Sequence, residues 1–152
     1  MSKTTHRRGE HDDGEKTVRE LSRTMRKQDI AMLSTRHGDD IAARPMSNNR
    51  DVDWDGDTFF YTTADTTTVA DIKADPHVGV SYQDDEDGIY IALNGRAELH
   101  TDRESLAAHW QDKLEQWFEG GLDTNGLTLV QVHAHRAHYW IKGEEGELVL
   151  ED

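Results

Sequence analysis

The sequence predicts an α+β domain, mainly β, whose sheet closes into a barrel. Three observations lead there. Short runs rich in β-branched and aromatic residues recur along the chain, turn signals separate them, and only brief stretches carry a helical period. Residues 1–14 are polar and aperiodic and read as a mobile tail, leaving residues 15–152 as one domain. Thr17-Val-Arg-Glu20 has capping-box spacing, and Val18, Leu21 and Met25 follow at i, i+3 and i+7, so a helix should run to about Gln28. Extended runs are expected at 30–35, 41–48 and 58–63, divided by the turns Gly38-Asp-Asp40 and Asp55-Gly-Asp57. Asp65-Thr-Thr-Thr68 offers N-caps for a short helix through Val69 and Ile72, which Pro76 must stop. Strands follow at 77–83 and 89–100, the second with Gly95 at a bulge. Thr101-Asp-Arg-Glu104 opens a helix through Leu106, Trp110 and Leu114 towards Trp117, ended by Gly120-Gly121. The last strands are 127–133 and 138–142, followed by a short tail.

Composition makes pattern necessary to the argument. Leu, Ile, Val and Phe make up about 18% of the chain and the formal net charge is −14, a combination at which disorder is the compositional default. The acids are led by Asp and Lys is scarce, as a salt-rich cytoplasm that screens self-repulsion would favour; plain acidity is the simpler reading. Phosphate backbones call for clustered cations, and the basic runs Arg7-Arg8 and Arg23 to Lys27 are diluted by acids, so nucleic acid is not the expected partner. With no long apolar run and no leader pattern, the chain is expected to be soluble, cytoplasmic and free of membranes. The absence of cysteine removes disulfides, thiolate nucleophiles and Cys-based metal sites.

Several segments in order carry a resemblance. Ala43-Arg44-Pro45-Met46, Phe59-Phe60-Tyr61-Thr62-Thr63-Ala64-Asp65, Val69-Ala-Asp-Ile72 and Asp75-Pro76 are followed by Gly95-Arg-Ala-Glu98-Leu, Trp110, Trp117-Phe118-Glu-Gly-Gly121 and Ala137-His-Tyr139-Trp140. Over residues 17–142 the chain resembles the pyridoxamine 5′-phosphate oxidase-like flavin-binding split barrels, and within them the general stress protein branch. The resemblance implies a six-stranded Greek-key split β-barrel with small flanking helices, a homodimer, and FMN held at the dimer interface. A flavin-dependent oxidoreductase is the implied activity, with substrate and nicotinamide electron donor unspecified. A non-catalytic flavin-storage protein and a deazaflavin coenzyme are the alternatives.

The residues suit that chemistry. Thr62, Thr63, Thr66, Thr67 and Thr68 lie at a strand end and helix start, where hydroxyls and free amides could meet a phosphate or simply cap a solvated turn. Arg44, ahead of the edge-favouring Pro45, could contact flavin phosphate or pyrimidine oxygens, or form an ion pair. Met46 and Tyr61 suit the ring or the core. Trp117-Phe118 would close over the flavin and Trp140 would lie near the ring edge, although the i, i+4, i+7 spacing of Trp110, Leu114 and Trp117 also fits core packing. One departure stands out: the branch carries Lys where this chain has Thr68. His133, His135 and His138 read as strand histidines rather than ligands, with His138 facing away from the other two. No catalytic residue, metal site or hydrolase constellation is identified.

Overall fold

The computed structural model describes residues 4–7, 11–50 and 53–150. Eight strands and three helices run β1 (Thr4–Arg7), α1 (His11–Lys27), β2 (Ile30–His37), β3 (Asp40–Ser47), β4 (Asp57–Thr63), α2 (Thr67–Ala74), β5 (His77–Asp84), β6 (Ile89–His100), α3 (Arg103–Ala108), β7 (Leu127–Ile141) and β8 (Glu144–Val149). Two 3₁₀ turns, Asp112–Gln116 and Gly121–Asp123, join α3 to β7.

The strands form one sheet in the order β1-β8-β7-β6-β5-β2-β3, with β4 beside the first half of β7. The chain therefore leaves β3 at one edge, crosses to lay β4 against β7, and returns through α2 to set β5 against β2. That excursion is the Greek-key element of a split barrel. The ladder does not close: β3 and β4 approach each other but exchange no register among the described residues. The expected closed sheet of six strands is thus an open one of eight.

The two extra strands come from segments expected to be tails. Thr4–Arg7 pairs in parallel with β8, so the N-terminal segment is structured at those positions; residues 1–3 and 8–10 lie outside the described ones. β8 is reached through a two-residue hairpin in which Lys142 and Gly143 both have positive φ, 50° and 86°. That is the turn geometry whose twist matches paired strands. β8 keeps Glu147 buried by pairing it with Arg136. Helix α1 also begins before the anticipated cap, which leaves Thr17 and Glu20 mid-helix.

The main core lies inside the curved sheet. Leu33, Val80, Ile91, Leu93, Val130 and Val132 line it, and the α1 stripe of Val18, Leu21 and Met25 covers one end. β6 and β7 slip register between Asn94 and Gly95, as Asn94 pairs Arg136 while Gly95 pairs Ala134. A Cβ on Gly95 would stand 2.2 Å from the His133 carbonyl oxygen, so only glycine fits. His135 is the extra residue, and the bulge rephases β7. Alternation would have turned His138 away from His133, yet His133, Arg136, His138 and Trp140 share the outer face.

A second core of Tyr61, Leu106, Leu114, Leu127 and Leu129 covers the outer face of β4 and early β7, joined by Trp110 and Phe118. Here the helix expected to reach Trp117 stops at Ala108. Phe59 stacks on the His109 ring at 3.7 Å and Asn49 donates to the His109 carbonyl at 3.1 Å, which turns the chain out of the helix. Its N-cap is Asp102, accepting from the Ser105 amide at 3.0 Å, rather than Thr101. Trp110 and Leu114 still pack inward, but Trp117 is 57% exposed.

Candidate functional site

Arg44, one of the polar residues expected to hold a ligand, lies where β2, β3 and α2 meet. Arg44 faces the same side of β3 as the buried Met46, because the two alternate opposite Leu33 and Ala31. Its guanidinium donates to Thr35 Oγ1 at 2.8 Å and to the Leu33 carbonyl at 3.3 Å, and lies 3.5 Å from Asp71 Oδ2. Thr35 in turn donates to Asp71 at 2.8 Å, and His37 Nδ1 lies 2.7 Å from the other carboxylate oxygen. Asp71 is buried on α2, and its carboxyl is held below the usual range, first by the hydrogen bond with His37. The same bond raises His37. Arg44 is therefore an ion-pair residue, fixed in one rotamer by a carboxylate from another element.

The threonine turn sits at the other end of the same helix. Thr66 is the N-cap of α2: its Oγ1 accepts from the Val69 amide at 3.4 Å and donates to the Thr63 carbonyl at 2.8 Å. Thr62 Oγ1 lies 3.1 Å from Thr66 Oγ1, and Thr63 donates to Asp65 at 2.6 Å. The hydroxyls of Thr62, Thr63 and Thr66 thus close the turn, while the amides of Thr67 and Thr68 have no acceptor within the helix. Thr67 is exposed and Thr68 buried.

The aromatic candidates divide. Tyr61 is buried, donates to the Leu106 carbonyl at 2.6 Å and meets Trp110 edge-on at 5.3 Å; burial pushes its phenol up to about 12. Met46 is likewise a core residue, and Phe118 packs beside Trp110, with only its neighbour Trp117 left open. Trp140 is elsewhere. It stacks on His138 at 4.2 Å and pairs with Tyr90 on the outer face of the sheet. Thr62 pairs Thr128 near the start of β7, whereas Trp140 stands near its end, beyond the bulge opposite Gly95.

That outer face is incompletely covered. Ile30, Met32 and Tyr90 are 47%, 38% and 38% exposed, Ile41 is 75% exposed, and Pro45 stands opposite Met32. Asp71 escaped the sequence-based expectations, although it lies between Val69 and Ile72 on the buried side of a short helix and so had to find a partner. His133 bridges Asp57 at 3.0 Å and Glu98 at 2.9 Å, which raises its pKa. Among the described residues no group of three or more His, Cys, Asp or Glu side chains is placed to hold a metal ion, and no helix is long and apolar enough to cross a membrane.

A split barrel with a capped threonine turn and a fixed arginine at one end, and an open aromatic sheet face at the other, defines the structural class. Residues 16–150 match the family model described as pyridoxamine 5′-phosphate oxidase like, and the chain belongs to that family. Among curated relatives it is 25% identical over 134 residues to protein bli-3 of Neurospora crassa, covering 82% of this chain and 64% of that protein, so the match spans less than two thirds of it. It is 29% identical over 101 residues to general stress protein 26 of Bacillus subtilis, covering 64% of this chain and 71% of that one. A Clostridium acetobutylicum structure related to general stress protein 26 superposes with a TM-score of 0.79 at 20% identity, covering 89% and 95% of the two chains. The structure described as the general stress FMN/FAD binding protein of Xanthomonas citri gives 0.68 at 23% identity, covering 84% and 87%.

Proposed function

We propose that the protein is a cytoplasmic, homodimeric flavoprotein of the general stress type, binding FMN between subunits and acting as a flavin-dependent oxidoreductase. The observation that carries this reading is the separation of the two halves of the expected site. The threonine turn and Trp140 lie near opposite ends of β7 in one chain, while Trp140 lies on a sheet face that exposes Ile30, Met32, Ile41 and Tyr90. A second copy docked on that face covers the apolar surface and brings a Trp140 to each subunit's threonine turn.

The residues fit an anionic cofactor. The free Thr67 and Thr68 amides at the head of α2 would receive the phosphate, with Thr62 and Thr66 hydroxyls beside them. Arg44, held by Thr35 and Asp71, would present a fixed guanidinium to phosphate or ring oxygens, and Trp117 and Trp140 would supply flat surfaces. When bound, the flavin supplies the electron-transfer chemistry, and the protein orients it and shields it from water. The general stress FMN/FAD binding protein of Xanthomonas citri shares the fold, which supports the reading.

Absorbance of the purified protein with added FMN, together with light scattering, tests it. The expected result is a flavin spectrum at one FMN per subunit on a particle of about twice 17.3 kDa, bleached by a nicotinamide donor. A deazaflavin band would change the cofactor, and bound FMN that no donor reduces would make the protein a store. A colourless protein that takes up no flavin would overturn the proposal.

A further inference from the structure

A cavity lined by none of the candidate flavin residues lies beside α1. It is an open groove of about 950 Å³ between α1, the segment following β3 and the 3₁₀ turn after α3. Six of the chain's seventeen Lys and Arg residues line it: Arg19, Arg23, Arg26 and Lys27 from α1, with Arg50 and Lys113. Asp53 is the one acid among the described lining residues. In a chain of net charge −14, such a gathering runs against composition.

Helical period explains how it forms. Arg19, Arg23, Arg26 and Lys27 fall at i, i+4, i+7 and i+8, hence on one face of α1. Two of those spacings, Arg19 to Arg23 and Arg23 to Lys27, set like charges one turn apart, which destabilises a helix. Neutralisation is incomplete. Arg26 pairs with Asp53 at 2.6 Å, Arg50 with Asp29 and Lys27 with Asp87 at 2.8 Å each; Asp53 and Asp29 lie largely in solvent and Asp87 about half so. Lys113 donates to the Asn48 carbonyl at 3.0 Å, an uncharged partner. Arg19 and Arg23 have no ion pair among the described residues. Val18 and Trp54 line the same groove but are themselves buried, so recognition there must rest on charge rather than on apolar area.

We infer that this groove binds a small, multiply charged phosphate compound, such as a phosphorylated metabolite or nucleotide, independently of the flavin. The volume suits a small ligand, and several guanidiniums suit phosphate oxygens bidentately. A long polyanion is disfavoured by the exposed acids at Asp29, Asp53 and Asp87 and by the charge of the whole chain.

Calorimetric titration of the full chain, saturated with FMN, with inorganic pyrophosphate and with ADP at about 0.1 M KCl tests this. Arg23→Glu is the informative variant. It turns both repulsive pairs into attractive ones, so melting temperature should hold or rise while affinity for both probes falls at least about tenfold. Flavin loading, measured alongside, should be unchanged. Tighter binding of ADP than pyrophosphate would assign a nucleotide, and equal binding would assign the phosphate group alone. Failure of wild type to bind either probe, equal binding by Arg23→Glu, or tighter binding of a DNA duplex would overturn the inference.

Discussion

Cations are held in two different ways in this acidic chain. At the junction of β2, β3 and α2, Arg44 meets a carboxylate that is 5% exposed, and both oxygens of that carboxylate are engaged by Thr35, His37 or the guanidinium. In the groove beside α1, Arg26 and Arg50 meet carboxylates that are 84% and 81% exposed. A buried pair fixes a side chain and is costly to break, whereas an exposed pair is screened and contributes little. The first arrangement positions one arginine; the second keeps several available.

The largest expected effect of breaking this contrast is at Asp71. Asp71→Ala strips Thr35 of its acceptor and leaves the Arg44 guanidinium without a carboxylate, and should destabilise by about 2–4 kcal/mol in denaturant unfolding. Removing the Arg26–Asp53 pair by Asp53→Ala should cost less than about 1 kcal/mol. Equal losses would mean that burial does not separate the two regions.

Thr68→Lys comes next. It places a cation beside the head of α2, its stem running outward from a buried position. FMN affinity should rise about tenfold, from the lower end of the value of a charged hydrogen bond, and riboflavin should gain nothing. Equal gains for both ligands would remove the phosphate from the threonine turn.

A pH series sharpens the picture of the buried pair. His37 is raised, so its contribution is complete below the unfolded value of 6.5 and is lost as pH climbs through the folded one. Asp71 is lowered, so its contribution is complete above its unfolded value of 3.8 and is lost as pH falls through the folded one. The stability difference between wild type and His37→Gln should therefore peak between about pH 4 and 6.5 and fade in alkali. A difference that grows with pH would contradict the His37–Asp71 bond.

Salt should produce the smallest change per charge and the broadest. Melting temperature should rise from dilute buffer to about 1 M KCl, where the Debye length is near 3 Å, as −14 of net charge is screened. A flat profile would leave the acidity without a salt-adapted role.

Much of the fold was legible because it depends on local alternation. Ile30–His37 and His77–Asp84 show the period of half-buried strands, Asp57–Thr63 is rich in β-favouring residues, Gly95 marks its bulge, and Thr66 caps α2 from within the threonine run. What escaped depends on distant partners. Glu144–Val149 carries too many acids to look like a strand until Arg136 neutralises Glu147. Trp117 breaks helical phase because Phe59 and Asn49, both far back in sequence, seize His109. Arg44 was legible as a candidate ion-pair residue, but Asp71 as its holder was not, since three elements have to fold before they touch.

The central claim is that one flavin site is assembled from opposite ends of two chains. Two variants each remove one end: Thr67→Asp sets a carboxylate beside the phosphate position, and Trp140→Ala removes the ring-side surface. Each homodimer should bind FMN weakly. The measurement is FMN stoichiometry in purified heterodimers of the two variants, in which both defects fall on one site and the other is intact. The account requires one FMN per heterodimer at wild-type affinity. Heterodimers that bind no better than either parent would contradict it.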